Sequence, residues 1–173
     1  NEKFLEQMEV NHTQRLIDYL DVVKTPHAGA AEQSKLQKDF KAFYSQSSCE
    51  ATFRQAEYIR DGLDYNEWHS NLLHMMVDKV PSEIHNMCTI NALCLESLPE
   101  FLEKIIWFKT ASAVYGPTIN YTLNILRFPS FQSPLVLPDD LRNKFKGDLV
   151  KFLNNNEKFL EQMEVNHTQR LID

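Results

Sequence analysis

The sequence predicts an all-α domain, a compact multi-helix bundle of about eight helices, with a short α-solenoid of stacked helix pairs as the alternative. Three observations carry that expectation. Apolar residues recur at three- and four-residue spacing through most of the chain, the period of a helix with one buried face. Glycine is scarce, four in 173 residues, which leaves few of the positive-φ positions that tight hairpins require. The candidate breaks are short and well spaced: TPHAGAA, Pro81-Ser82, Gly116-Pro117 and RFPSFQSPLVLP. No internal repeat of roughly 30–45 residues is visible, which favours the bundle over the solenoid.

Each element follows from its residues. Residues 1–23 read as a helix through Phe4, Leu5, Met8, His12, Leu16, Ile17, Leu20 and Val23, and Pro26 stops it. A second helix over 31–45 carries Leu36, Phe40 and Phe43. SSCEATF offers a serine cap to a helix reaching Asp61, with Gly62 as its C-cap. Asp64 opens the next, and Glu67 three residues later completes a capping-box spacing. Ser82 caps a helix running to about Ser97, whose Ile84, Met87, Cys88, Ala92, Leu93 and Leu95 make it the candidate for deepest burial. Pro99 suits the first turn of the following helix, which Gly116-Pro117 ends.

TINYTLNIL fits two periods. Ile119, Tyr121, Leu123 and Ile125 alternate with Thr118, Asn120, Thr122 and Asn124 as in a strand, yet Ile119, Leu123 and Leu126 also fit a helix turn. No other segment reads as a strand, and a lone strand cannot satisfy its backbone groups, so helix is the expectation. RFPSFQSPLVLP is an extended connector, too apolar to lie freely in water: Phe128, Phe131, Leu135, Val136 and Leu137 belong against the core or a partner. Asp139-Asp140 start a helix carrying Leu141, Phe145, Leu149 and Phe152, which the asparagines at 154–156 end.

The most informative feature is a duplication. NEKFLEQMEVNHTQRLID occupies residues 1–18 and again residues 156–173. Either a natural unit of 155 residues recurs in tandem, or the segment was supplied twice by engineering. Both readings join LRNKFKGDLVKFLNN to the repeated segment as an αα-hairpin or an interrupted helix. Both copies present one apolar stripe, Phe4, Leu5, Met8 and Leu16 in the first and Phe159, Leu160, Met163 and Leu171 in the second. They fill two equivalent grooves or compete for one, and a displaced copy would dock into a neighbouring molecule.

Composition excludes several functions. A net charge of −6 makes a poor general binder of nucleic acid, which needs Lys and Arg against phosphate. No apolar run approaches the roughly 18–20 residues of a membrane span, and the charged N-terminus lacks the apolar core of a signal peptide. Three cysteines, Cys49, Cys88 and Cys94, cannot all pair internally, which points to a reducing, cytoplasmic compartment. Against it stand three matches to the glycosylation pattern, at Asn11, Asn120 and Asn166, so a secreted protein is the second reading.

No P-loop, nucleophile elbow or dinucleotide fingerprint occurs. Glu67, His74 and Asp78 share a helix face, but such residues ordinarily make a solvated surface rather than a metal centre. His85 and Cys88 have the types of a nucleophile pair, but apolar neighbours suggest inert core thiols, and Cys49 near a helix start is the more reactive one. Arg142, Lys144, Lys146 and Lys151 decorate a helix whose basic face reads as solvated rather than membrane-bound. The expectation is therefore a non-enzymatic interaction module with no cofactor and no metal. Its partner would be a protein, a peptide helix or another copy of itself, held through the two terminal stripes and through Phe128, Phe131, Leu135 and Leu137. A carrier of a small apolar ligand or lipid is the alternative.

Overall fold

The computed structural model describes residues 44–173 apart from Val80 and Tyr115. The helices expected over 1–23 and 31–43, with Phe4, Leu5, Met8 and Leu16, lie outside the described residues, as does part of the single domain expected over 1–173.

The described residues are mixed α/β, and the all-α bundle is overturned. Their order is β1 (Tyr44–Ser48), α1 (Phe53–Ile59), α2 (Tyr65–Asp78), β2 (Glu83–Ile90), α3 (Leu98–Ser112), β3 (Thr118–Ile125), α4 (Asp139–Asn156) and α5 (Gln162–Ile172). The strands form one parallel sheet in the order β1-β2-β3, with Ser47 opposite Asn86 and Asn86 opposite Tyr121. Parallel neighbours need crossovers, and right-handed crossovers that step across a sheet in one direction place their helices on one face. The contacts agree. Trp68 of α2 donates to Ser47 Oγ of β1 at 3.4 Å, and its ring lies 5.7 Å from that of Phe101 in α3.

Three expected helices are corrected to strand. The helix expected through Ser45 gives way to β1. The helix expected over 82–97 is β2 followed by a turn, in which Asn91 Oδ1 accepts from Leu93 N and Cys94 N. TINYTLNIL is β3. Alternation decides β2: Ile84, Asn86, Cys88 and Ile90 are buried, while His85, Met87 and Thr89 lie on the opposite face. That second face is polar. His85 Nε2 meets Thr122 Oγ1 at 3.2 Å, and Asn120 Nδ2 donates to Glu83 Oε1 at 3.2 Å.

The serine cap and the Gly62 C-cap expected around SSCEATF are corrected, since Ser47 and Ser48 belong to β1 and α1 runs only Phe53–Ile59 between Thr52 and Arg60. Further local expectations hold. Asp64 Oδ1 caps α2 by accepting from Glu67 N at 3.0 Å. Pro99 sits in the first turn of α3. Residues 127–138 connect β3 to α4 through two short 3-10 turns. The helix α4 ends at Asn156, the last of the three asparagines, where a 3-10 turn takes over. There the buried amide donates to Phe152 O and to Glu103 Oε1 of α3, at 3.0 and 2.8 Å. The core gathers Ile84, Cys88, Leu98, Phe101, Leu102, Ile105, Phe108, Tyr121, Leu149 and Phe152 between sheet and helices. Among the described residues no helix is long and apolar enough to cross a membrane.

Candidate functional site

The second copy of the repeated sequence is a 3-10 turn, Glu157–Phe159, then a break, then α5. It begins at the last residue of α4, so α4 and α5 make the αα-hairpin that the joined sequence implies. A capping box starts α5: the Glu161 side chain accepts from the backbone of Glu164, while Glu164 Oε2 accepts from Glu161 N at 2.8 Å.

Glu164 carries more than a cap. It is fully buried, and it lies where α5 crosses β3 and α3. Its Oε2 also receives Lys109 Nζ of α3 at 2.5 Å, and its Oε1 receives Tyr121 N of β3 at 3.1 Å. A buried carboxylate is expensive unless its oxygens are saturated by donors, and here a cation and two backbone N–H groups supply them.

The Tyr121 bond shows what α5 covers. Successive residues of a strand send their backbone groups to opposite edges. Thr118 N reaches Ser82 O and Leu126 N reaches Ile90 O, so the even positions of this segment serve the β2 side. Tyr121 and Leu123 face the other edge, where no strand among the described residues pairs with β3. Glu164 takes the Tyr121 N–H, and His167 Nδ1 meets the Leu123 carbonyl at 3.2 Å. The helix closes a strand edge with side chains. Thr168, also fully buried, bonds the Tyr121 hydroxyl at 3.2 Å and donates to Glu164 O at 2.8 Å. Burial pushes the Tyr121 hydroxyl above the usual tyrosine range, which Thr168 partly offsets. Leu171 and Leu160 complete the apolar contact.

Every seat contact made by α5 has a counterpart in the first copy. Glu9, His12, Thr13 and Leu16 repeat Glu164, His167, Thr168 and Leu171.

The structure disperses the other expected binding residues. Leu171 is buried and Leu160 packs against the core, but Phe159 and Met163 stay more than a third exposed. Phe128, Phe131 and Leu135 are exposed, Phe128 at 84%, and Leu137 is half-buried. Leu135 and Leu171 do meet, as walls of one cavity at the carboxyl ends of β2 and β3. Sequence reasoning followed the apolar stripe and missed Glu164, Lys109, Tyr121 and Thr168. The Glu161–Glu164 spacing signalled the cap; nothing in sequence signalled Lys109.

The remaining chemistry candidates resolve simply. Glu67, His74 and Asp78 sit exposed on α2, and no group of metal-ligating side chains forms among the described residues. His85 and Cys88 occupy opposite faces of β2, three positions apart. All three thiols are free and buried. Burial pushes Cys49 up to about 11 and Cys94 up to about 12, and raises Cys88 as well. Cys49 lies just past β1, with its Sγ on Ala51 O, rather than at a helix start. Asn120 of the second glycosylation match is buried in β3.

Compared with family models, with curated proteins and with solved structures, the chain finds no match.

Proposed function

We propose that the protein is a non-catalytic interaction module whose seat, the β3 edge with Lys109, recognises the repeated helix. The seat is filled in cis by residues 156–173 and exchanges with residues 1–18 of a second copy. The single observation that carries this reading is the identity of the two segments at every seat contact of α5: the groups that saturate Glu164, Tyr121 and Leu123 cannot distinguish one copy from the other.

Tethering sets the balance. Only a short turn joins α5 to α4, and such a linker gives a local concentration on the order of 1 mM. With equal intrinsic affinities, a chain at about 10 µM then places about one seat in a hundred in trans. Self-association is therefore a response to crowding of copies or to release of the cis helix. The three buried free thiols and the buried Asn120 support placing the protein in a reducing, cytoplasmic compartment.

The test uses the full chain. Glu164→Ala weakens the cis helix and leaves Glu9 intact, so the variant dimerises with rising concentration in sedimentation analysis. Glu9→Ala/Glu164→Ala removes the buried carboxylate from both copies and does not dimerise through the seat. A folded Glu164→Ala chain that stays monomeric, or a double variant that dimerises equally well, sinks the reading.

A further inference from the structure

We propose that the cavity at the carboxyl ends of β2 and β3 binds a small organic anion with an apolar body, such as a medium-chain carboxylate. The cavity encloses about 200 Å³. Its floor is apolar: Ile90 and Ile125, the last residues of their strands, face Phe145 of α4 and Leu171 of α5. In parallel α/β sheets this end of the strands is the usual place for ligands.

The rim is cationic. Arg142, Lys146 and Arg170 line the cavity, with Asp173 as the only carboxylate side chain in its lining among the described residues, and Lys146 Nζ donates to Asp173 O at 3.2 Å. An adjoining hollow of about 230 Å³ shares Ile125, Arg170 and Leu171 and adds Arg127. Among the described residues that line the two hollows, four cations stand against one carboxylate, with Asp139 pairing Arg142 from outside the lining; even so counted, the balance is the reverse of the chain as a whole, which carries a net charge of −6. Local focusing of one sign in a cleft is how a protein concentrates ligands of the other.

Two of these cations are poorly satisfied. Arg142 Nη2 donates to Asp139 Oδ1, but Arg142 Nε is buried with no acceptor among the described residues. Arg170 makes no hydrogen bond or ion pair among them. A buried N–H without an acceptor is costly, and an arriving carboxylate relieves it while the fork geometry of a guanidinium holds both oxygens. The apolar body then covers Ile90, Ile125 and Phe145, which no polar ligand would reward. Arg170 and Leu171 belong to α5, so the cavity exists whenever the seat is filled, in cis or in trans. It does not depend on helix exchange.

The test is calorimetric titration of the full chain with octanoate, 1-octanol and octylammonium. Octanoate binds one to one, octanol at least about tenfold more weakly, and octylammonium not at all. Arg142→Gln/Arg170→Gln lowers octanoate affinity at least about tenfold and leaves octanol unchanged. Arg170→Gln alone, at an exposed side chain, gives the same direction should the double variant fail to fold. Equal binding of octanoate and octanol overturns the proposal, as does octanoate affinity that both variants leave intact. No binding of octanoate up to about 5 mM overturns it on affinity grounds. Co-sedimentation with anionic phosphatidylglycerol vesicles without octanoate binding would reassign the cations, beside exposed Phe128 and Phe131, to a membrane surface.

Discussion

Glu164→Ala removes a fully buried carboxylate that accepts from Lys109, Tyr121 N and Glu161 N. The variant leaves Lys109 without its counter-charge at a site where only 12% of the lysine side chain is exposed. It also orphans the Tyr121 N–H at the β3 edge and deletes half of the capping box. Breaking a buried pair by removing one partner costs about 3–5 kcal/mol. The orphaned N–H and the lost cap, at about 1–3 and about 1 kcal/mol, overlap with that figure rather than add to it. The expected loss is therefore about 3–5 kcal/mol, a large share of the stability of a domain this size. The assay is urea denaturation followed by Trp68 and Trp107 fluorescence, run well below the concentration at which copies exchange. Lys109→Met/Glu164→Leu, which removes both charges, loses less than Glu164→Ala alone. A single-variant loss under about 1 kcal/mol would refute the reasoning, because it would mean the seat does not depend on the buried carboxylate.

Four further outcomes are expected. Glu50, nearly buried behind β1, takes Arg60 through Nε and Nη2 at 3.1 and 2.6 Å, so Glu50→Ala costs about 3 kcal/mol in the same assay. Tyr65→Phe is neutral or slightly stabilising, since the buried Tyr65 hydroxyl has no partner among the described residues; a loss above about 1 kcal/mol would reveal one. Gly62 sits at φ +79°, so Gly62→Ala costs about 1–2 kcal/mol by thermal unfolding although a methyl group has room there. Alkali destabilises the fold through its thiols. Their folded-state values, about 11 for Cys49 and about 12 for Cys94, exceed the ordinary 9.0, so the stability they hold is intact below pH 9 and declines as pH rises towards 11. Each such thiol contributes a slope of about 1.4 kcal/mol per pH unit in that window, and Cys94→Ala flattens it measurably in denaturation series between pH 8 and about 11.

Why the helices were legible and the sheet was not comes down to what faces inward. The helices α2, α3 and α4 bury an apolar stripe at helical spacing, and their starts stand in the sequence as the Asp64 cap and as the first-turn residues Pro99 and Asp139-Asp140. The strand β1 buries nothing of the kind. Its inward positions are Ser45 and Ser47, and Ser47 Oγ donates to Asn86 Oδ1, the inward residue opposite it. Asn86 Nδ2 then donates to Cys49 O. Polar inward positions satisfied by each other leave no period-two apolar signal in YSQSS and a broken one in EIHNMCTI. With those two strands unreadable in the sequence, β3 has no visible partner, and the rule that a lone strand cannot satisfy its backbone groups favours a helix despite its clear alternation. The site failed in a related way. The apolar stripe of the repeated segment was visible, but its specificity lies in Glu164 and Thr168, polar residues that read as solvent-facing until β3 lies beneath them.

The seat also bears on why the segment occurs twice without a single difference. Its contacts constrain Asn156, Glu161, Glu164, His167, Thr168 and Leu171, with Leu160 packed behind them. They place no demand on Lys158, Gln162 or Gln169, which are exposed. Selection for a common seat would hold the first set and let the second drift, since surface substitutions away from such contacts cost little, within about 0.5 kcal/mol. Identity at both sets therefore exceeds what the seat requires, and points to a segment copied whole rather than two segments matched by function. The functional consequence is the same whichever process copied it. On the proposed function, α5 plugs the β3 edge with its buried carboxylate, edge-capping histidine and hydroxyl, and the identical sequence at residues 1–18 would compete for the seats that copies of the chain present. Substituting Lys158, Gln162 and Gln169 by alanine should leave that competition unchanged. Glu9→Ala should bias it wholly to the cis helix, abolishing dimers of the Glu164-intact chain at concentrations near 1 mM. Persistence of those dimers would move the association to another surface.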